Sequence, residues 1–396
     1  MVQVSVKLEK AYRLHKLTSA IFNEMDELKK QVEQRGVQVI NLGVGSPDQP
    51  PAPHIIESMH RALDRLDNYD YPLAGKIELR QALARWYLRR FEVELDPVSE
   101  VLVLMGSQDG LAHIALAFVN PGDIVLVPDP GYPIYYASIL LAEGDIYPMP
   151  LLAKNEFLPD LKAIPEDIAR RAKLMWINYP NNPVAAVADE NFFARVVEFA
   201  REFNILVCHD VAYSELAFDG YKPVSFLATP GAKDVGIEFY SLSKTYNMAG
   251  CRIGFAVGNP KVLSALNQVK SNIDYGVFKV IQEAGIAALE GPQECVRQNA
   301  DTYQRRRDVL VHGLAELGWY VPSPGASMFL WAPLPPGYKK SAREFALELL
   351  NRTGVLVIPG TAFGEQGEGY VRIALVKDED TLREAVKRIS EFLCTH

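Results

Sequence analysis

"SLSKTYNMAGCRIG", residues 241 to 254, places a lysine directly behind Ser-Leu-Ser at the end of the apolar run "GIEFYS" (236–241), with an arginine eight residues further on. Most lysines stand on the surface, so Lys244 in this position needs a reason. Four upstream runs end the same way. "VLVLM" (101–105) runs into "GSQDG", "DIVLV" (123–127) into "PDPGYP", "KLMWIN" (173–178) into "YPNNP", and "NILVCH" (204–209) into Asp210 of "DVAYSE". Longer amphipathic segments such as "NFFARVVEFAREF" (191–203) separate some of them. The alternation predicts an α/β fold: a mostly parallel sheet in three layers, with helices on both faces. Ligands bind at the carboxyl ends of such strands, so the polar segments should line one crevice and form a composite cofactor site.

The C-terminal part changes character. Helical "TYQRRRDVLVHGLAELG" (302–318), strand-like "ASMFLWAPL" (326–334), "GVLVIPG", "GYVRIAL" and a last amphipathic helix read as a smaller α+β domain. The expected division is an N-terminal segment 1–45 packed on the small domain, a large domain 46–290, and the small domain 291–396. Within the first segment "SAIFNEMDELKKQVEQRG" (19–36) reads as a helix.

The chain of 396 residues is 48% hydrophobic and carries a net charge of -8, so it can bury a large core but offers no basic face for nucleic acid. Four cysteines without CxxC spacing fit a reducing cytoplasm better than a disulfide scaffold. No apolar stretch reaches membrane-spanning length, and "MVQVSVKLEKAYRLHK" lacks a signal-peptide core; neither a membrane nor a metal enters the reading.

Individual residues leave alternatives. "MGSQDGLAHIALAF" (105–118) is either a phosphate seat at a helix N-terminus or a plain strand-to-helix turn. Arg252, Ser241 and Ser243 could complete an anion cradle, whereas a lone arginine is usually a solvated charge. Asp210, expected to be partly buried, needs a positive partner such as a protonated ring nitrogen, or serves as a cap or turn residue. His209 is read as structural. A lysine among such segments loses some preference for its ammonium form, which exposes an amine suited to Schiff-base formation.

Taken together, the S-x-S-K-x₇-R pattern with upstream N-P and D-x-A-Y resembles the fold-type I, pyridoxal-phosphate-dependent aminotransferases of class I/II over nearly the whole chain. The resemblance implies that Lys244 carries the cofactor and moves the catalytic proton. Ser107, Gln108, Ser241, Ser243 and Arg252 would hold the phosphate, and Tyr132 would stack on the pyridine ring. Asn182 and Tyr213 would donate to its phenolic oxygen, and Asp210 would pair with its N–H⁺. Arg372 of "GYVRIAL" would grip the substrate α-carboxylate with help from the Gly45 backbone, beside Asn182. Two departures stand out: "NPVAA" (182–186) replaces Asn-Pro-Thr-Gly, and "NYDYPLAG" offers Tyr71, or alternatively Tyr69, as the tyrosine that reaches the partner subunit's phosphate. A homodimer with shared active sites follows from that tyrosine.

"CHDVAYSE", "SKTYNMAG" and "KSNIDYGVF" most resemble the subgroup of bacterial LL-diaminopimelate aminotransferases and their alanine- and methionine-transaminating relatives. "SNIDYGVF" (271–278) contains no arginine for a second carboxylate, and Asn272, Asp274 and Tyr275 are candidates for a distal ammonium-carboxylate head. The implied substrates are an amino acid and a 2-oxo acid, 2-oxoglutarate or pyruvate. A C–S lyase on the same fold is the rival reading.

Overall fold

The computed structural model describes residues 8–17, 20–72 and 74–394. The first seven residues of the N-terminal segment, and Ser19 at the start of its expected helix, lie outside them. Twelve strands follow in chain order: β1 (Ile40–Asn41), β2 (Val101–Leu104), β3 (Ile124–Asp129), β4 (Asp145–Pro150), β5 (Ala172–Asn178), β6 (Leu206–Asp210), β7 (Gly236–Ser241), β8 (Gly254–Gly258), β9 (Phe329–Pro333), β10 (Val355–Leu356), β11 (Ile358–Pro359) and β12 (Tyr370–Ala374).

The central sheet has seven strands in the order β2-β8-β7-β6-β5-β3-β4. Only β8 runs against its neighbours. Side chains alternate between two cores: Leu126, Met175, Ile177 and Val207 enter one, while Val125, Val127, Leu174, Trp176 and Cys208 enter the other. Both faces are therefore covered, and the fold is the expected α/β one. Two strands of this sheet escape the sequence reading. "DIYPMP" (β4) holds two prolines, which its place at the sheet edge tolerates, and "GFAVG" (β8) is a short run behind the lysine motif.

A third core joins Met25 and Val32 of the helix Ala20–Gln34 to Leu310, Phe345, Phe329 and Val371. Its strands are β11-β12-β9, antiparallel throughout, and the β1-β10 pair, in which Ile40 lies opposite Val355. Tyr213, Leu216 and Phe218 join this core from just beyond β6, so apolar packing seals the gap between sheet and C-terminal part. Among the described residues no helix is long and apolar enough to cross a membrane.

Candidate active site

The parallel strands β5, β6 and β7 end at one edge of the sheet, and the reversed β8 begins there. Gly254 pairs with both Leu104 and Ser241, which brings Arg252 between the segments following β2 and β7. Close approach demands glycine at position 254, where a Cβ would stand 2.5 Å from the Ser107 nitrogen. Gly106 (φ 77°) precedes the helix Ser107–Phe118 without any side-chain cap, so its first N–H groups remain for an anion. Ser241 Oγ accepts the Ser243 N–H at 3.2 Å, and Arg252 donates to the Ala249 carbonyl at 3.0 Å.

These groups border a cavity of about 370 Å³ that is also lined by Gly45, Gln108, Tyr132, Asn182, Asp210, Tyr213, Lys244 and Arg372. The residues expected to hold the cofactor and the substrate α-carboxylate, Tyr71 excepted, thus meet in one place, whereas Asn272, Asp274 and Tyr275 lie outside this lining. Lys244 Nζ donates to the Gly45 carbonyl at 2.5 Å. Burial, then Arg372 and Arg252, push the Lys244 ammonium down to about 8, against a smaller opposing pull from Asp210. At pH 7 about a tenth is then free amine, the nucleophilic form, far more than for an ordinary lysine. Burial raises the Asp210 carboxyl, and among the described residues the Tyr135 hydroxyl at 2.8 Å and the Ala212 N–H at 3.3 Å donate to its side-chain oxygens. A cation in the cavity would stabilise its charged form.

Arg372 occupies the far end. Its Nη1 donates to Asn182 Oδ1 at 2.8 Å and its Nη2 to the Gly43 carbonyl at 2.6 Å. The guanidinium carbon lies 4.2 Å from the Phe329 ring centre and 4.5 Å from that of Phe363. Burial lowers its pKa to about 10. Its buried Nε has no partner among the described residues. An orphaned donor on a desolvated cation calls for an anionic ligand. Asn182 Nδ2 also approaches the Tyr213 hydroxyl at 3.4 Å.

The Gly45 carbonyl accepts from Lys244, and the Gly43 carbonyl from Arg372. Other expectations change in detail. Asp274 is committed to Lys270 at 2.5 Å, and Asn272 to the Gln268 carbonyl at 2.8 Å; neither borders this chain's cavity. Tyr69 spends its hydroxyl on the Leu63 carbonyl at 3.0 Å, whereas Tyr71 is 75% exposed and meets Tyr275 edge-on at 5.0 Å. In "NPVAA" the turn holds, with Ala185 at φ 56° in the left-handed region that glycine adopts without strain. His209 pairs with Glu238 at 3.0 Å, fully buried in the sheet and away from the cavity lining, which agrees with a structural role.

Sequence reasoning missed Gly43, Phe329, Phe363 and Tyr135. Only Tyr135 left a signal: it follows Tyr132 by three residues, so both fall near one helix face.

The donor set fits pyridoxal 5′-phosphate. An uncapped helix start, two serines and an exposed arginine suit a phosphate, a buried carboxylate suits a protonated ring nitrogen, and a lysine with depressed pKa suits an aldehyde. Residues 37–389 match the family model of aminotransferase class I and II. The LL-diaminopimelate aminotransferase of Syntrophobacter fumaroxidans is 52% identical over 381 residues, 96% of this chain and 98% of its own. Among solved structures, substrate-bound BacF of Bacillus subtilis superposes with a TM-score of 0.94 at 38% identity over 98% of each chain. A probable N-succinyldiaminopimelate aminotransferase of Thermus thermophilus gives 0.89 at 40% identity, covering 94% of this chain and 100% of that one. The chain therefore belongs to the class I and II aminotransferases and is a pyridoxal-phosphate-dependent enzyme that moves an amino group between an amino acid and a 2-oxo acid.

Proposed function

We propose that this enzyme is an LL-diaminopimelate aminotransferase of the cytoplasm, with 2-oxoglutarate or pyruvate as its 2-oxo acid partner. The observation that carries the donor is the 52% identity, over 96% of the chain, to a relative of that name. The lack of an arginine in residues 271–278 supports it by disfavouring a plain dicarboxylate. Residues 46–290 make up the cofactor domain in this reading, with 1–45 and 291–396 forming the smaller one.

When bound, pyridoxal phosphate supplies an electron sink for negative charge at the substrate Cα. The chain's own groups do the rest. Ser107, Gln108, Ser241, Ser243 and Arg252 hold the phosphate, and Tyr132 offers its aromatic face to the ring. Asp210 keeps the ring nitrogen protonated, while Tyr213 and Asn182 donate to the phenolic oxygen. Arg372 grips the substrate α-carboxylate, which fixes the orientation of the Cα–H bond. Lys244 would hold the cofactor and, as the free amine, would move the proton away from the substrate Cα. Tyr71 reaches the phosphate of a second copy, so the working unit is a homodimer.

The test follows the visible absorbance of the purified enzyme through single half-reactions with LL-diaminopimelate, N-succinyl-LL-diaminopimelate, alanine, methionine, aspartate and glutamate. Fastest conversion by LL-diaminopimelate is expected. A faster donor replaces it in the assignment, and no conversion by any donor would favour the lyase.

A further inference from the structure

Asp109 stands in the first turn of the helix Ser107–Phe118, one residue past Gln108. An acid there ordinarily complements the helix dipole, but this turn also seats the phosphate in the reading above, on which the present argument rests. A carboxylate beside a phosphate dianion weakens it unless a cation intervenes. The Asp109 side chain is 6% exposed and meets the Met105 N–H at 2.9 Å, His113 Nδ1 at 2.8 Å and Lys270 Nζ at 2.9 Å. Burial would raise its carboxyl, but the His113, Lys270 and Met105 contacts hold it below the ordinary range.

Lys270 ends the helix Pro260–Lys270 and is itself 5% exposed. Its ammonium also lies 2.5 Å from Asp274 Oδ1, which in turn accepts the Gly276 N–H at 2.6 Å. One buried lysine thus bridges the phosphate-seat turn and the loop 271–276, whose Tyr275 touches Tyr71. None of Asp109, His113, Lys270 or Asp274 borders the cavity, so the cluster acts on the cofactor only through the turn it shapes.

We propose that Lys270 is a positioning residue for cofactor binding: by pairing with Asp109 it makes an acidic first turn compatible with a phosphate seat, and it ties loop 271–276 to that turn. Removing the lysine leaves Asp109 buried with its negative charge undercompensated next to the phosphate. Removing both charges should restore the seat.

The experiment titrates pyridoxal phosphate into cofactor-stripped protein and reads affinity from the absorbance change. Lys270→Met should weaken binding by about tenfold or more, and Lys270→Arg by much less, as expected for loss or retention of a close charge. Asp109→Asn combined with Lys270→Met should return to within about threefold of wild type, a rescue that charge pairing predicts and simple packing does not. An unchanged affinity in Lys270→Met, or a double variant as weak as the single one, overturns the proposal. Should Lys270→Met fail to fold, Asp109→Asn alone decides. Inorganic phosphate, measured as a competitor of the cofactor, should bind it about threefold tighter or more than it binds wild type, by the same charge argument; equal or weaker binding overturns the proposal. An Arg252→Lys variant of undiminished cofactor affinity would instead reject the phosphate-seat reading, and the Lys270 proposal with it.

Discussion

Arg252 and Arg372 border the same cavity, yet the chain treats them in opposite ways. Arg252 is exposed, held in left-handed backbone geometry (φ 51°) and steadied by one carbonyl a few residues upstream. Arg372 is 5% exposed, clasped between two phenylalanine rings and anchored to Gly43 and Asn182, which are distant in sequence. An exposed guanidinium costs little and suits a ligand that stays. A guanidinium stripped of water recovers its desolvation cost only when a carboxylate arrives, so the substrate end discriminates by charge. Lys244 is the point they share, since both cations contribute to its lowered pKa.

Breaking that shared point should have the largest effect. Lys244→Ala should cost about 10⁴-fold in turnover, the upper range for a positioned proton carrier, while the cofactor remains noncovalently bound. Stopped-flow absorbance with the fastest donor measures it, and near-wild-type turnover would refute the assignment. The second effect is one of pH. In cofactor-stripped protein the Lys244 amine should react with an arylating reagent at a rate that rises about tenfold per unit and levels near pH 8, not near 10.5. A profile that still climbs above pH 9 would mean that the two arginines and burial do not act on it as described.

How much of this was legible follows the same division. The phosphate end is written locally: "GSQDG" and "SLSKTYNMAGCR" lie in short stretches, and strand ends carry them to one edge by a rule of parallel sheets. Strand β8 was invisible as a strand, yet its reversal is what delivers Arg252. The substrate end could be anticipated only as Arg372, because Gly43, Phe329 and Phe363 reach it through packing between the N-terminal segment and the C-terminal sheet. No periodicity in the sequence encodes that meeting. Tyr135 is intermediate: its spacing from Tyr132 was visible, but its bond to Asp210 depends on how the helix Pro133–Leu141 sits on the sheet.

Tyr135→Phe therefore probes the support beneath the cofactor. The Asp210 carboxyl is already raised by burial and lowered by the Tyr135 hydroxyl. Without that donor it should rise further and turn neutral at higher pH. The acid limb of the pH–rate profile should then move upward, because the lost hydrogen bond favoured the charged carboxylate. An unmoved limb would show that Asp210 is held by other groups. The smallest effect concerns the departure in "NPVAA". Ala185→Gly relieves a left-handed alanine but adds chain entropy, so denaturant unfolding should find stability changed by no more than about 1 kcal/mol, with cofactor affinity unaltered. A larger loss would mean that the alanine side chain packs against something essential.

The division of labour between the two arginines is tested most directly by titrating pyridoxal phosphate into stripped protein carrying Arg252→Lys or Arg372→Lys. Lysine keeps the charge but loses the forked geometry. Arg252→Lys should weaken the cofactor by about tenfold, as expected for loss of a bidentate phosphate contact, and Arg372→Lys should leave it within about twofold. Equal losses in both variants, or the larger loss in Arg372→Lys, would contradict the account.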